Sequence, residues 1–379
     1  MPQKTKIAII CDFPAWIANS ELPQAKGHYA IWLTTLYNSF ERISNFEIHW
    51  ITLQKGITST SRFKSKNQYF HIIPAVRKTI GLYTMYLSDR RKIKNEIKQI
   101  HPQLIHTWGT EYCYGLCGKD SNHKYWLHSV QGLLKAYMQR CRLSRFQRHH
   151  SFYEPRVLQR APFLTTESPW AAERVKEISP RANPVIWEYA VEDIFFSMER
   201  HLSDEPSCLY CGSNSAIKNI DTLITAFSSS KLSHIKLYLA GPHPDSFKNL
   251  PPNIIPLGRQ SRDSIANLMS QSWCLVHLSF ADTGPTAVKE ARVMRLPVII
   301  SDECGSQQHI IQGKSGFVIK PTDVNSLINH VLYITQSKEK ALEMGYFDAE
   351  QIRQKLSPHT MVTQLINIYT SILKSDSNE

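Results

Sequence analysis

Between Ser279 and Ser301 the chain reads SFADTGPTAVKEARVMRLPVIIS, which sets two carboxylates, Asp282 and Glu290, eight positions apart around a Gly284-Pro285 turn. Carboxylates accept hydrogen bonds from paired hydroxyls, and the amides at a helix start attract phosphate. A turn that offers both suits a nucleotide sugar. The flanking elements are legible: the apolar run Cys274 to Phe280 reads as a buried strand, Thr286 to Met294 as a helix, and Pro297 to Ile300 as the next strand. On that helix Glu290 stands about one turn beyond Thr286, while Asp282 stays in the loop at the strand's carboxyl end, where open α/β sheets hold ligands. The plain alternative is an ordinary strand-helix-strand unit with a solvated acid.

Strand and helix patterns alternate along the whole chain, which predicts parallel sheets covered by helices on both faces. The expected strands of the first half are Ile7 to Asp12, Glu47 to Leu53, Tyr69 to Ile73, Leu104 to Thr107, Lys124 to Ser129 and Phe163 to Thr166, with Val185 to Glu188 leading out. A second set follows at Ser207 to Cys211, Lys236 to Ala240, Ile254 to Leu257, Cys274 to Ser279, Val298 to Ser301 and Gly316 to Ile319. Each set suffices for a doubly wound domain, and 379 residues exceed one ordinary core. The polar stretch Ser197 to Pro206 reads as a linker, so the expected domains are residues 1–197 and 207–357. A terminal segment, 358–379, carries a helix with one apolar side, Thr360 to Leu373, and is expected to pack back on the first domain.

The net charge of +12 lies entirely in the first 200 residues, and residues 51–150 carry 18 Lys and Arg against 4 Asp and Glu. Such a block implies an anionic partner. In GLYTMYL, residues Leu82, Tyr83, Met85, Tyr86 and Leu87 precede the cluster from Arg90 to Lys98, as in an interfacial helix. An anionic membrane surface is therefore an expected partner; the alternative is that these apolar residues pack in the core and the lysines form a solvated face. No nucleic-acid module accompanies the charge, so nucleic acid is not an expected partner. Cys208 and Cys211 form a CxxC inside a strand pattern, where residues three apart point to opposite faces, and nothing completes a zinc site. All eight cysteines read as reduced, and no metal is expected. The apolar start is interrupted by Asp12 and Pro14, and no run approaches the roughly 20 residues that span a bilayer. The expected location is cytoplasmic, or peripheral at the inner face of the cytoplasmic membrane.

Five blocks of the second half, in order, resemble the family 4 retaining glycosyltransferases, glycosyl transferases group 1. LYCGSNSAIKNIDTLITAF, Leu209 to Phe227, is similar to that family's first C-domain strand, glycine turn and Lys-bearing loop. IKLYLAGP resembles its second strand, NIIPLG the strand and glycine near the base, and Asp282 to Glu290 its paired-acid motif. PVIISDECGSQQHIIQGKSGFVI resembles the strand, turn and strand that follow. The resemblance implies the α/β GT-B fold, two Rossmann-like doubly wound domains facing across a cleft. It also implies a retaining, metal-independent transferase of the hexosyltransferase type that needs no cofactor. Its partners would be a nucleoside-diphosphate sugar donor and a lipid-linked or polysaccharide acceptor, in the synthesis of lipopolysaccharide, capsule or exopolysaccharide.

Carried over residue by residue, the resemblance makes Lys218 the cation on the departing diphosphate, Glu290 the acid on the ribose hydroxyls and Asp282 the acid on the transferred sugar. Gly212, Ser213, Gly258, Arg259, Thr283, Gly284, Pro285, Thr286 and Ala287 would complete the donor site, the last four chiefly through their backbone. Gly27, followed by His28, resembles the glycine turn after the first strand. On the acceptor side the candidates are His28, His106, Glu111, His128 and Gln131. Three positions depart from the family pattern. Asp282 stands where Glu is usual, and Ser213 where Arg is frequent, so either Lys218 acts alone with the helix dipole or another basic residue, Arg259 or Lys289, supplies the missing cation. Gln131 stands where His is frequent, and it can donate a hydrogen bond but cannot take up a proton. These departures leave a second reading, a nucleotide-sugar-binding GT-B protein impaired in catalysis. A third is a nucleotide-sugar epimerase, although no acid pair in the first half supports it.

Overall fold

The computed structural model describes residues 4–24, 30–41, 43 and 45–375. The first sheet has eight strands, β1 Thr5–Ile10, β2 Phe46–Gln54, β3 Ser61–Ser65, β4 Gln68–Pro74, β5 Leu104–Trp108, β6 Trp126–Val130, β7 Phe163–Thr166 and β8 Val185–Ile186. They lie in the order β3-β4-β2-β1-β5-β6-β7-β8, parallel except for β3. The second sheet holds β9 Ser207–Cys211, β10 Lys236–Ala240, β11 Ile254–Gly258, β12 Cys274–His277, β13 Val298–Ser301 and β14 Gly316–Ile319. Its order is β11-β10-β9-β12-β13-β14, with every pair parallel.

Successive side chains of a strand point to opposite faces, and a sheet covered on both sides needs both faces apolar. In β1, Ile7 and Ile9 join one core with Leu33 and Leu36, while Ala8 and Ile10 join another with Ile93 and Ile97. The same alternation separates Cys208 from Cys211, which lie in cores on opposite faces of the second sheet. Strand β3 was not expected from the sequence. Arg62 and Lys64 are exposed along it, so its pattern is charged rather than apolar. It pairs with β4 through Lys66 and Asn67, both left-handed with φ of 47° and 64°, a two-residue turn of the hairpin-forming hand.

The last helix, Pro358–Lys374, starts on a side-chain cap from Ser357 with Pro in its first turn, both favourable there. Its apolar side, with Met361, Leu365, Tyr369 and Ile372, enters the core of the first sheet beside Ile7 and Ile9. The chain therefore crosses from the first sheet to the second and returns. Residues 197–206 run along the second unit, where the Arg200 guanidinium donates to the carbonyls of Arg295 and Ser272. Among the described residues no helix is long and apolar enough to cross a membrane.

A carboxylate links the halves. Glu188, just after β8, accepts from His309 (2.7 Å), Gln308 (2.6 Å) and Lys355 (2.9 Å). Burial alone would raise its proton affinity, but the His309 hydrogen bond and the Lys355 charge hold it down to about 2 against an ordinary 4.5. A depressed folded pKa gives stability that is present above pH 4.5 and lost as pH falls toward 2. Glu188→Gln is expected to cost about 3 kcal/mol at pH 7. Denaturation curves at pH 7 and pH 3 check this, and the gap between variant and parent should shrink at the lower pH.

Candidate active site

The loops after β9, β10 and β11 approach one another through glycines. A Cβ on Gly241, which sits at φ +122°, would lie 1.9 Å from the carbonyl oxygen of Gly212, so Gly241 has no room for a side chain, while a Cβ on Gly212 would meet the Tyr210 hydroxyl at 2.6 Å. Gly258 adjoins them by accepting from the Gly241 amide at 2.8 Å. Ser213 is at the surface, its hydroxyl 3.0 Å from that of Ser215.

Lys218 follows in the loop before helix Ile220–Phe227. Buried Asn219 fixes that loop, taking a left-handed φ of 52° and donating to the carbonyls of Leu278 and Pro321. The Ile217 carbonyl accepts from the Phe280 amide. These bonds bring the Lys218 ammonium onto the Asp282 carboxylate as an ion pair. His277, at the end of β12, places Nε2 3.4 Å from the same oxygen, with its ring stacked on Tyr210. Burial would raise the Asp282 proton affinity, but Lys218 and His277 outweigh it and hold the carboxyl well below the usual range. Asp282 is ionised at any physiological pH.

Glu290 has a different setting. It is almost fully buried on helix Thr286–Val293, where the Arg262 guanidinium grips it and also donates from Nε to Glu192 at 2.6 Å. Arg262 lies over the Phe195 ring, 4.7 Å from its centroid. Here burial wins: it pushes the Glu290 carboxyl upward despite Arg262. Arg262 escapes a sequence reading because its guanidinium joins acids from two other segments.

The turn between the two acids faces the first half. Thr283 donates from Oγ1 to the Gln131 carbonyl (2.5 Å), and its own carbonyl accepts from Ser168 (2.6 Å). A Cβ on Gly284 would stand 3.0 Å from Glu167 Oε2, so the turn lies close against that acid. Pro285 caps the helix start with no side-chain acceptor, and Thr286 and Ala287 open its first turn. Lys289 does not reach this turn. It is buried, donating to Glu167 (2.5 Å) and to the Tyr189 carbonyl, so it cannot replace the missing cation near Ser213. Burial pushes Glu167 up to about 7 against the pull of Lys289. Arg259 is exposed just after β11.

Across the turn, the Glu111 carboxylate packs over two glycines: a Cβ on Gly132 would meet it at 2.0 Å and one on Gly109 at 2.8 Å, with Gln131 adjoining. Burial raises its proton affinity. Tyr137, whose hydroxyl would stand 3.5 Å from a Cβ on Gly132, lies between the halves close to Thr283, Asp282 and Glu111 and was missed by the sequence reading. His106 and His128 belong elsewhere. His106 is fully buried, with Nδ1 2.7 Å from the Tyr369 hydroxyl and Nε2 2.7 Å from Ser129, so it anchors the last helix to the sheet. His128 is equally buried against Thr107, and burial pushes its pKa down to about 3. Both side chains point into the helix-covered faces, which corrects their expected acceptor role. Gly27 and His28 lie outside the described residues.

This arrangement gathers a cation, two acids, glycine loops and a helix start at the carboxyl ends of β9 to β12. Residues 192–351 match the family of glycosyl transferases group 1. That match and the fold together support the group 1, GT-B superfamily. The Bacillus anthracis N-acetyl-alpha-D-glucosaminyl L-malate synthase is 23% identical over 171 residues, 43% of this chain and 44% of that protein, so the chain spans less than half the length of this relative. The sucrose-phosphate synthase structure from Thermosynechococcus elongatus is similar in GT-B fold, with TM-score 0.79 at 17% identity, covering 98% of this chain and 100% of its own. Anabaena HepE in complex with UDP and glucose gives TM-score 0.70 at 12% identity, with 96% and 99% covered.

Proposed function

We propose that the chain is a retaining glycosyltransferase that moves a sugar from a nucleoside-diphosphate sugar to a lipid-linked or polysaccharide acceptor in cell-surface glycan synthesis. The observation that carries this reading is the Lys218–Asp282 pair beside the start of helix Thr286–Val293, facing Gln131 and Glu111 of the other half. In this reading the donor enters between the glycine loops and that helix. Its diphosphate draws Lys218 away from Asp282, which then accepts from the hydroxyls of the transferred sugar, and Glu290 accepts from the ribose. The ammonium and the helix amides oppose charge on the leaving diphosphate, so no divalent metal or cofactor is required. Glu111 stands where an acceptor hydroxyl would approach.

The group 1 match supports the donor half, and the UDP and glucose held by HepE suggest a similar donor chemistry. The basic first half supports an anionic acceptor or a location beside an anionic membrane, at its cytoplasmic face. A thermal-shift screen against UDP, GDP, ADP and CMP sugars tests the reading, since a ligand that binds the folded state raises its apparent stability. Stabilisation by one nucleotide series and transfer from it are expected. Stabilisation without turnover across an acceptor panel would instead favour an impaired binding protein, and no stabilisation by any of them would end the donor assignment.

A further inference from the structure

Two basic segments distant in sequence are joined through a buried aromatic contact in the first domain. Between helices Lys78–Tyr83 and Leu87–Ile100 the backbone turns through Met85 and Tyr86, left-handed with φ of 49° and 55°. That turn drives Tyr86 inward, fully buried with its ring 4.5 Å from Tyr112 and 5.6 Å from His150. It leaves its neighbours outside: Tyr83 is 91% exposed, Ile80 51%, Met85 47% and Leu87 43%. His150 belongs to helix Arg145–Ser151, so Tyr86 joins this corner to a second one that exposes Arg142, Arg145, Arg148 and, at 65%, Phe152.

Most of the acids nearby are withdrawn from the surface charge, and Glu177, half-exposed beside Lys135, is paired with Arg174 at 3.2 Å. Asp89 and Glu154 are fully buried, and Asp120 is bridged by Arg90, which also donates to the Met85 carbonyl. Tyr86 and Arg90, expected from the sequence to belong to a membrane-facing patch, are thus its internal supports. What remains outside is a set of apolar tips in a cationic field. A bilayer interface matches both features, because apolar tips enter the acyl boundary while arginines meet lipid phosphates.

The geometry points to this corner as the face that docks on an anionic bilayer and holds the acceptor loop beside it. Glu154 opens the helix after Arg145–Ser151 and accepts from the amides of Leu134 and Lys135, just past Gln131 and Gly132. Lys135 in turn lies 5.6 Å from the Phe152 ring centroid. Docking here brings the Gln131 loop to the headgroups, and the acceptor class that follows is a lipid-carried glycan rather than a free polysaccharide. This acceptor step rests on the transferase reading above.

Co-sedimentation of the full chain with phosphatidylglycerol vesicles, and separately with phosphatidylcholine vesicles, tests the face. Binding to the first alone is expected, weakening as salt rises. Arg145→Gln with Arg148→Gln should weaken it about 25-fold, at about fivefold for each cation near such a surface. Tyr83→Ser with Met85→Ser should weaken it as well while leaving the melting temperature in place. No binding at low salt, equal binding to phosphatidylcholine, or unchanged binding by both double variants overturns the proposal. Nucleotide-sugar stabilisation measured on the same samples separates the two readings: its loss with vesicle binding intact removes the transferase assignment and leaves the docking face standing.

Discussion

Lys218→Ala is expected to reduce the turnover of sugar transfer by about 10²- to 10³-fold, the effect of removing one preorganised donor from a developing negative charge. The ammonium is held in place before any ligand arrives, because Asn219 and Ile217 fix its loop against the strand that carries Asp282. Its side chain keeps 24% of its surface exposed, so truncation leaves little cavity and the fold should survive. The loss also reaches Asp282. Burial raises that carboxyl, and Lys218 is the first of the groups that bring it down, so the variant should shift its titration upward. Turnover and melting temperature measured together check the prediction. Full activity in a folded Lys218→Ala protein would sink the assignment.

Glu290→Gln is expected to weaken donor binding by about 10- to 100-fold, since a hydrogen bond to a charged group contributes about 1.5–3 kcal/mol. The amide keeps the shape of the side chain, and Arg262 retains its bond to Glu192, so folding is affected less than by Glu290→Ala, which leaves a void beside a half-buried guanidinium. A pH series adds a readout that simple misfolding would not mimic. The Glu290 carboxyl is raised above 4.5 by burial, so it becomes protonated earlier than an exposed acid as pH falls. Donor affinity of the parent should therefore decline through a pKa above 4.5, and the Gln variant should show no such step. Titration calorimetry with the stabilising nucleotide sugar at several pH values decides it.

Most of the architecture was legible because it depends on local pattern. Apolar runs of strand length separated by helical periodicity placed thirteen of the fourteen strands among the described residues within a few residues, as a parallel sheet buried on both faces requires. The exception, β3, is short, charged and at an edge, where burial writes no pattern into the sequence. The histidines show the opposite difficulty. His106 and His128 lie in the middle of strands whose carboxyl ends face the cleft, and alternation turns both side chains into the covered faces. Lys289 sits one residue before Glu290, and helix geometry turns it toward Glu167 instead of the donor turn.

The sequence alone determined that Asp282 and Glu290 stand on one turn and helix, because their spacing is a matter of local geometry. It also determined that Lys218 follows a glycine loop in the same domain. Only the tertiary structure decided how the two acids differ. Asp282 meets Lys218 and His277 and is held ionised, whereas Glu290 is sealed under Arg262 and pushed upward. Proton affinity depends on burial and on charges contributed by distant segments. A spacing of eight residues therefore carries the position of a carboxylate but not its chemistry.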